Sequence, residues 1–208
     1  MARRPRNYAS HVFINCPFDD GYKSMFEAIV FAVFDCGFIP RCALENGDSG
    51  TVRIEKIMNI IAVCKYGIHD VSAIQLDSAT QLPRFNVPYE LGLFIGCKRY
   101  GTGYHDEKVC LVLDADGLRY RSFISDFSGQ DIRGHGNNPK TAIAHVRHFL
   151  AEQTQRKTIP GASTIFDRYT QYLKDKPNSV KILNWDINDL PFKDLQYLIN
   201  GWLSVNAL

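Results

Sequence analysis

The chain reads as a doubly wound α/β protein, a parallel sheet of about five strands followed by a helical extension. Three observations carry that reading. Short apolar runs alternate with segments of helical periodicity up to about residue 152. One of them, Val109-Cys110-Leu111-Val112-Leu113, is apolar throughout, as suits a strand buried on both faces of a parallel sheet. Beyond Glu152 a polar stretch intervenes, and only helical patterns follow.

The elements follow in chain order. His11, Val12, Phe13, Ile14 and Asn15 form a first strand that stops before Pro17. Residues 22–36 carry Met25, Phe26, Ile29, Val30, Val33 and Phe34 at helical spacing, and Gly37 ends that helix. Residues 38–44 read as a second strand, with Pro40 marking an edge or a bulge. After a turn-rich loop, Thr51 is placed to cap a helix reaching Cys64, with Ile54, Ile57, Met58 and Ile61 facing inward. Residues 66–71 make the third strand, and a polar loop follows it. Pro88 then opens an apolar helix with Asn86 or Val87 at its cap, which puts Glu90 in the first turn. Gly92 and Gly96 suggest close contact of that helix with a neighbouring strand. Residues 108–114 form the fourth strand and 130–133 a short fifth, and Pro139 starts a helix through Ala142, Ile143, Val146 and Leu150.

Right-handed crossovers collect the strand C-termini on one side, and a flavodoxin-like order sets the first and third strands side by side. Residues 8–152 are read as this sheet domain. Residues 153–208 are read as an extension with helices near 163–174 and 191–204, amphipathic around Phe166, Tyr169, Tyr172, Trp185 and Trp202. That extension is expected to pack on the sheet domain, or to gate or nucleate assembly.

Composition narrows the function classes. The 208 residues are 45% hydrophobic and 22% charged, a globular balance. A net charge of +2 makes no electrostatic case for nucleic acid, and the basic start at Arg3, Arg4 and Arg6 is short enough to be a solvated terminus. No apolar run has the length of a membrane span, and no secretory pattern is visible. The six cysteines form no C-x-x-C pair and mostly sit in apolar runs, which suits a reducing cytoplasm. Cys16 stands apart, at a strand end beside Pro17. The six histidines show no metal spacing, so no metal is expected. Neither a G-x-G-x-x-G turn nor a Walker loop is present.

The polar residues at the strand ends define a candidate ligand site, because open α/β sheets bind ligands at that edge. Asn15, Cys16, Pro17, Phe18 and Asp19 follow the first strand, and Glu45 follows the second. Asp70 and Ser72 follow the third, and Arg84, Asn86 and Glu90 come from the next loop and helix. Residues 15–19 should face Asp70 and Glu90, with Arg84 and Arg53 holding phosphate. Asp114 and Asp116 read as a turn. His69 reads as a satisfied strand histidine. An acid opening an apolar helix needs a partner or a task, and complementing the helix dipole is the plainer of the two. That dipole should also keep Glu90 ionised.

The stretch Asn86-Val87-Pro88-Tyr89-Glu90-Leu91-Gly92-Leu93-Phe94-Ile95-Gly96 resembles the helix signature of bacterial TIR-like nucleotide-binding domains. It is also similar to the acidic helix of nucleoside 2-deoxyribosyltransferases. Val12-Phe13-Ile14-Asn15-Cys16-Pro17-Phe18 resembles the opening strand of both groups, and the likeness covers roughly residues 10–152. It implies a flavodoxin-like (TIR-like) fold and cleavage of the nicotinamide–ribose bond of NAD by Glu90, as a glycohydrolase or as a synthase of ADP-ribose signals, in antiphage defence. NAD would be the substrate, no cofactor would be needed, and residues 15–19 would line the nucleotide site. Self-assembly or a defence partner protein is implied as well. The chain departs from the commoner TIR pattern in having Asn-Cys-Pro at the strand end and no Trp-Cys pair before the glutamate. A nucleoside 2-deoxyribosyltransferase or hydrolase using Glu90, and a non-catalytic nucleotide-sensing or assembly module, are the alternatives.

Overall fold

A computed structural model gives the fold, and residues 3–45, 47–73, 81, 85–127, 129–154 and 156–207 are described, Arg119 by its backbone alone. Five strands make one all-parallel sheet: β1 (His11–Asn15), β2 (Ile39–Arg41), β3 (Tyr66–Asp70), β4 (Val109–Asp114) and β5 (Arg133–Gly134), in the order β2-β1-β3-β4-β5. This is the flavodoxin-like order. β1 and β3 are neighbours with Val12 beside Tyr66 and Asn15 beside His69. Asp70 lies beside Leu113 in the next strand. β3 is buried at every position, as a central parallel strand must be.

The helices are α1 (Lys23–Asp35), α2 (Arg53–Val63), α3 (Asn86–Tyr100), α4 (Pro139–Glu152), α5 (Ala162–Ile182) and α6 (Phe192–Val205). One sheet face is covered by α1 and α4, whose Ile29, Val33, Ile143 and Val146 join Val12, Ile14 and Ile68 in the main core. α5 and α6 extend the same cluster outward through Ile165, Tyr169, Tyr172, Leu198 and Ile199. On the other face, α2 and α3 pack Ile57, Ile61 and Phe94 around Phe13.

Local chemistry fixes several boundaries. α1 ends where Gly37 takes φ +79° and the Phe38 N–H reaches the Val33 carbonyl at 3.0 Å, closing the last turn. The Asn138 side chain accepts from the Lys140 N–H at 2.9 Å and caps α4, with Pro139 as its first residue. The expected cap at Thr51 does not form. Its hydroxyl donates to Asp48 at 2.9 Å inside the preceding loop, and Val52 takes the cap position without a side-chain bond.

Two other expectations change. α5 does not stop near residue 174 but runs through Pro177 to Ile182. The proline removes one rung of the ladder, and the packing of Val180 with the ion pair of Lys176 to Glu27 holds the helix together across it. Gly92 and Gly96 make no close helix–strand contact, because a Cβ at either would meet nothing within 4 Å. The close approach lies instead at Gly67, where a Cβ would fall 2.5 Å from His69 Nε2 and 3.0 Å from Phe94. Among the described residues no helix is long and apolar enough to cross a membrane.

Candidate functional site at the carboxyl edge of the sheet

A cleft of about 210 Å³ opens beyond the C-terminal end of β1. Its walls are Asn15, Cys16, Pro17, Phe18 and Asp19 from the β1–α1 loop, Arg53 from α2, and Asn86, Val87 and Glu90 from α3, with Ala73. Eight of the residues picked from sequence therefore meet in one space. Two helices begin there, α2 at Arg53 and α3 at Asn86, and neither start carries a side-chain cap. Among the described residues the N–H groups of Arg53 and Ile54 in α2 and of Asn86 and Val87 in α3 have no partner, and they are donors for an anion.

Glu90 does not sit in the first turn. α3 begins at Asn86, so Glu90 is its fifth residue and Pro88 its third. A proline is tolerated at that position because the N–H it lacks would have had no helical partner. The dipole's influence falls off after one turn, so it does not hold Glu90 ionised. Glu90 is only 6% exposed. Burial pushes its carboxyl up to about 7, and the nearby Arg53 guanidinium opposes that rise without overcoming it. Among the described residues its carboxyl has no hydrogen-bond partner.

Asn15 fixes the start of α3. Its amide donates to the Val87 carbonyl at 2.9 Å and lies 3.0 Å from His69 Nδ1. Full burial pushes His69 down to about 3, so the ring is neutral and its Nδ1 accepts from Asn15. The remaining Nε2 carries the proton and has no hydrogen-bond partner among the described residues. It lies in a pocket of Phe13 and Phe94. His69 is a satisfied strand histidine on one nitrogen only.

Asp70 does not line the cleft with Glu90. It is fully buried beneath the edge of the sheet. The Tyr22 hydroxyl donates to it, the Ser72 N–H donates at 3.0 Å, and His135 Nε2 stands 2.9 Å away. The histidine contact is close but off the line of a regular hydrogen bond. Burial alone would raise the Asp70 carboxyl. The His135, Ser72 and Tyr22 contacts outweigh it and hold the group below the usual range. The Asn137 N–H donates to His135 Nδ1 at 3.0 Å, which leaves the proton on Nε2. Asp70 thus ties the start of α1 to the loop after β5. Sequence reasoning missed Tyr22 and His135, because nothing in their local spacing marks them as partners of Asp70.

The remaining predicted residues part company. Ser72 lines an adjoining recess of about 320 Å³ with Tyr22, Ala115 and Asn137, and Pro17, Asp19 and Ala73 border both spaces. Glu45 turns away into a two-pronged pair with Arg41, at 2.6 and 2.7 Å. Arg84 lies outside the described residues. The Cys16 thiol is pushed well up, first by burial and then by the acids around it, so it forms a wall and not a reactive thiolate. All six cysteines are free, and among the described residues no cluster of His, Cys, Asp and Glu could hold a metal ion.

No family model, curated protein or solved structure matches the chain.

Proposed function

We propose that the protein is a TIR-like enzyme that cleaves the N-glycosidic bond between nicotinamide and ribose in NAD, with Glu90 as the acting carboxylate. The supporting observation is the company Glu90 keeps. A buried carboxyl with no hydrogen-bond partner among the described residues shares one cleft with Arg53 and two uncapped helix starts. The carboxylate suits a cationic sugar, and the guanidinium and backbone donors suit a pyrophosphate.

In the reaction the C1′–N1 bond breaks and its electron pair returns to the pyridinium ring, releasing neutral nicotinamide. The ribose left behind has oxocarbenium character. Ionised Glu90 stabilises that cation or closes on C1′ as an ester, and water then completes hydrolysis by losing a proton to the carboxylate.

Purified protein should release nicotinamide from NAD, and Glu90→Gln should lower kcat by at least about a hundredfold, the scale of losing a group that acts in the transition state. Because Glu90 must be ionised and titrates at about 7, kcat/KM should rise between pH 5 and 8 and then level off. The inflection in kcat should fall lower, because the bound nicotinamide cation favours the carboxylate. Undiminished activity in Glu90→Gln, or a flat pH profile, removes Glu90 from the chemistry.

The same raised carboxyl supports a second reading, base release from a deoxynucleoside. Protonated Glu90 would then donate to a neutral base, a step nicotinamide does not require. Activity on deoxynucleosides that falls as pH rises through 7 would favour it.

A further inference from the structure

We propose that the C-terminal helices complete the ligand site, forming a second chamber for the purine nucleotide half of a dinucleotide. This rests on the Glu90 cleft being a nucleotide site. The chamber, about 200 Å³, lies across the β1–α1 loop from Glu90, and Pro17, Phe18 and Asp19 line both spaces. Its far wall is the connection between α5 and α6, at Ile187, Asn188, Asp189 and Leu190. Pro17, Phe18 and Asp19 are therefore a wall that the two spaces share.

The chamber has the character of a base site. Phe18 and Phe26 meet edge to face, with centroids 5.4 Å apart, and Phe26 packs on Phe192. That gives a firm aromatic floor. Leu44 and Ile187 stay 45% and 42% exposed at the rim. Asn188 and Asp189 bring an amide and a carboxylate that can accept from an exocyclic amino group. Both lysines of the chamber are paired: Lys176 with Glu27 at 2.7 Å in a largely buried bridge, and Lys23 with Asp20 at 2.8 Å in an exposed bridge that water screens, so Lys23 is the one that can turn to a phosphate. Neither space alone reaches the roughly 300 Å³ at which pockets begin to enclose a drug-sized ligand, and the two together exceed it. A two-part ligand bridging the shared wall matches that division.

The test is calorimetric titration of the full-length chain with AMP, with nicotinamide mononucleotide and, in the Glu90→Gln background, with NAD. Ile187→Glu alters an exposed rim position and leaves the core intact. It should weaken AMP and NAD at least tenfold and move nicotinamide mononucleotide less than twofold. Nicotinamide mononucleotide carries a pyridinium cation that AMP lacks, so Ile187→Lys is run beside Ile187→Glu: an effect of charge alone reverses sign between the two variants, whereas loss of the base contact weakens AMP in both. No AMP binding at millimolar concentration, AMP binding unchanged by Ile187→Glu or tightened by Ile187→Lys, or equal weakening of both mononucleotides overturns the proposal. Failure of the Glu90 reading shows separately, as no nicotinamide release from NAD while AMP still binds in the manner described.

Discussion

A carboxyl kept out of water and given no hydrogen-bonded partner among the described residues has a consequence for stability. Glu90 titrates at about 7 in the folded protein and 4.5 in the reference state. Between those values the folded chain binds more protons than the unfolded one, so this group lowers stability as pH rises from 4.5 through 7. Above about 8 the penalty is complete, about 3 kcal/mol. Glu90→Gln removes the charge and keeps the shape. It should therefore raise the unfolding free energy by about 3 kcal/mol at pH 8 and by little at pH 5. Urea titrations at the two pH values measure this, and equal effects at both would show that Glu90 is not desolvated. Loss of activity joined to gain of stability is the signature of a site held in strained electrostatics.

At the scale of elements, α2 depends on a residue that precedes β4. Lys108 is fully buried, and its ammonium donates to the Ile61 carbonyl in the last turn of α2, at 2.5 Å, and to the carbonyl of Cys64 just past its end. The Tyr8 and Phe94 rings flank it, 5.2 and 4.8 Å from the nitrogen. Burial pushes its pKa down, and the carbonyl dipoles and ring faces favour the charge. Lys108→Met relieves the desolvation of the ammonium but takes the donor from the Cys64 carbonyl, while the Ile61 carbonyl keeps the Cys64 N–H at 3.2 Å. The second effect should win, because an orphaned group costs about 1–3 kcal/mol. The expected loss is about 2 kcal/mol by chemical denaturation, and a neutral or stabilising result would mean that desolvation dominates. α2 supplies Arg53, so the same substitution should loosen the Glu90 cleft.

On the scale of the molecule, the C-terminal helices are fastened to α1 by buried charge as well as by apolar packing. Glu27 accepts from the Tyr172 hydroxyl at 2.9 Å and from Lys176 at 2.7 and 2.9 Å. Arg168 reaches both oxygens of Asp35, at 3.2 and 3.0 Å. Removing one member of a buried pair strands the other, at about 3–5 kcal/mol. Glu27→Ala should fall in that range, and Glu27→Leu with Lys176→Met should recover most of the loss. Unfolding should stay a single transition, because α5 and α6 share the main core with α1. Two separated transitions would show that the helices fold as an independent unit.

The sheet order and most element positions were legible in the sequence because they follow from local rules. An uninterrupted apolar run marks a central strand, Pro139 marks a helix start, and Gly37 a stop. The gathering of residues 15–19, Arg53, Asn86 and Glu90 in one cleft follows from topology, since parallel strands with right-handed crossovers expose their C-terminal ends together. The environment of each side chain was not legible. Asp70 and Glu90 are both acids at the same edge of the sheet. One is held low by Tyr22, Ser72 and His135, and the other is pushed to about 7 by burial. Two of the three partners of Asp70, Tyr22 and His135, lie 48 and 65 positions away, contacts that no local spacing encodes. By itself the sequence determined which residues reach the carboxyl edge, because periodicity and chain direction are local properties. The tertiary structure alone decided what charge each of them carries and which walls the C-terminal helices supply, because desolvation and pairing are fixed only when distant segments close over the same atoms.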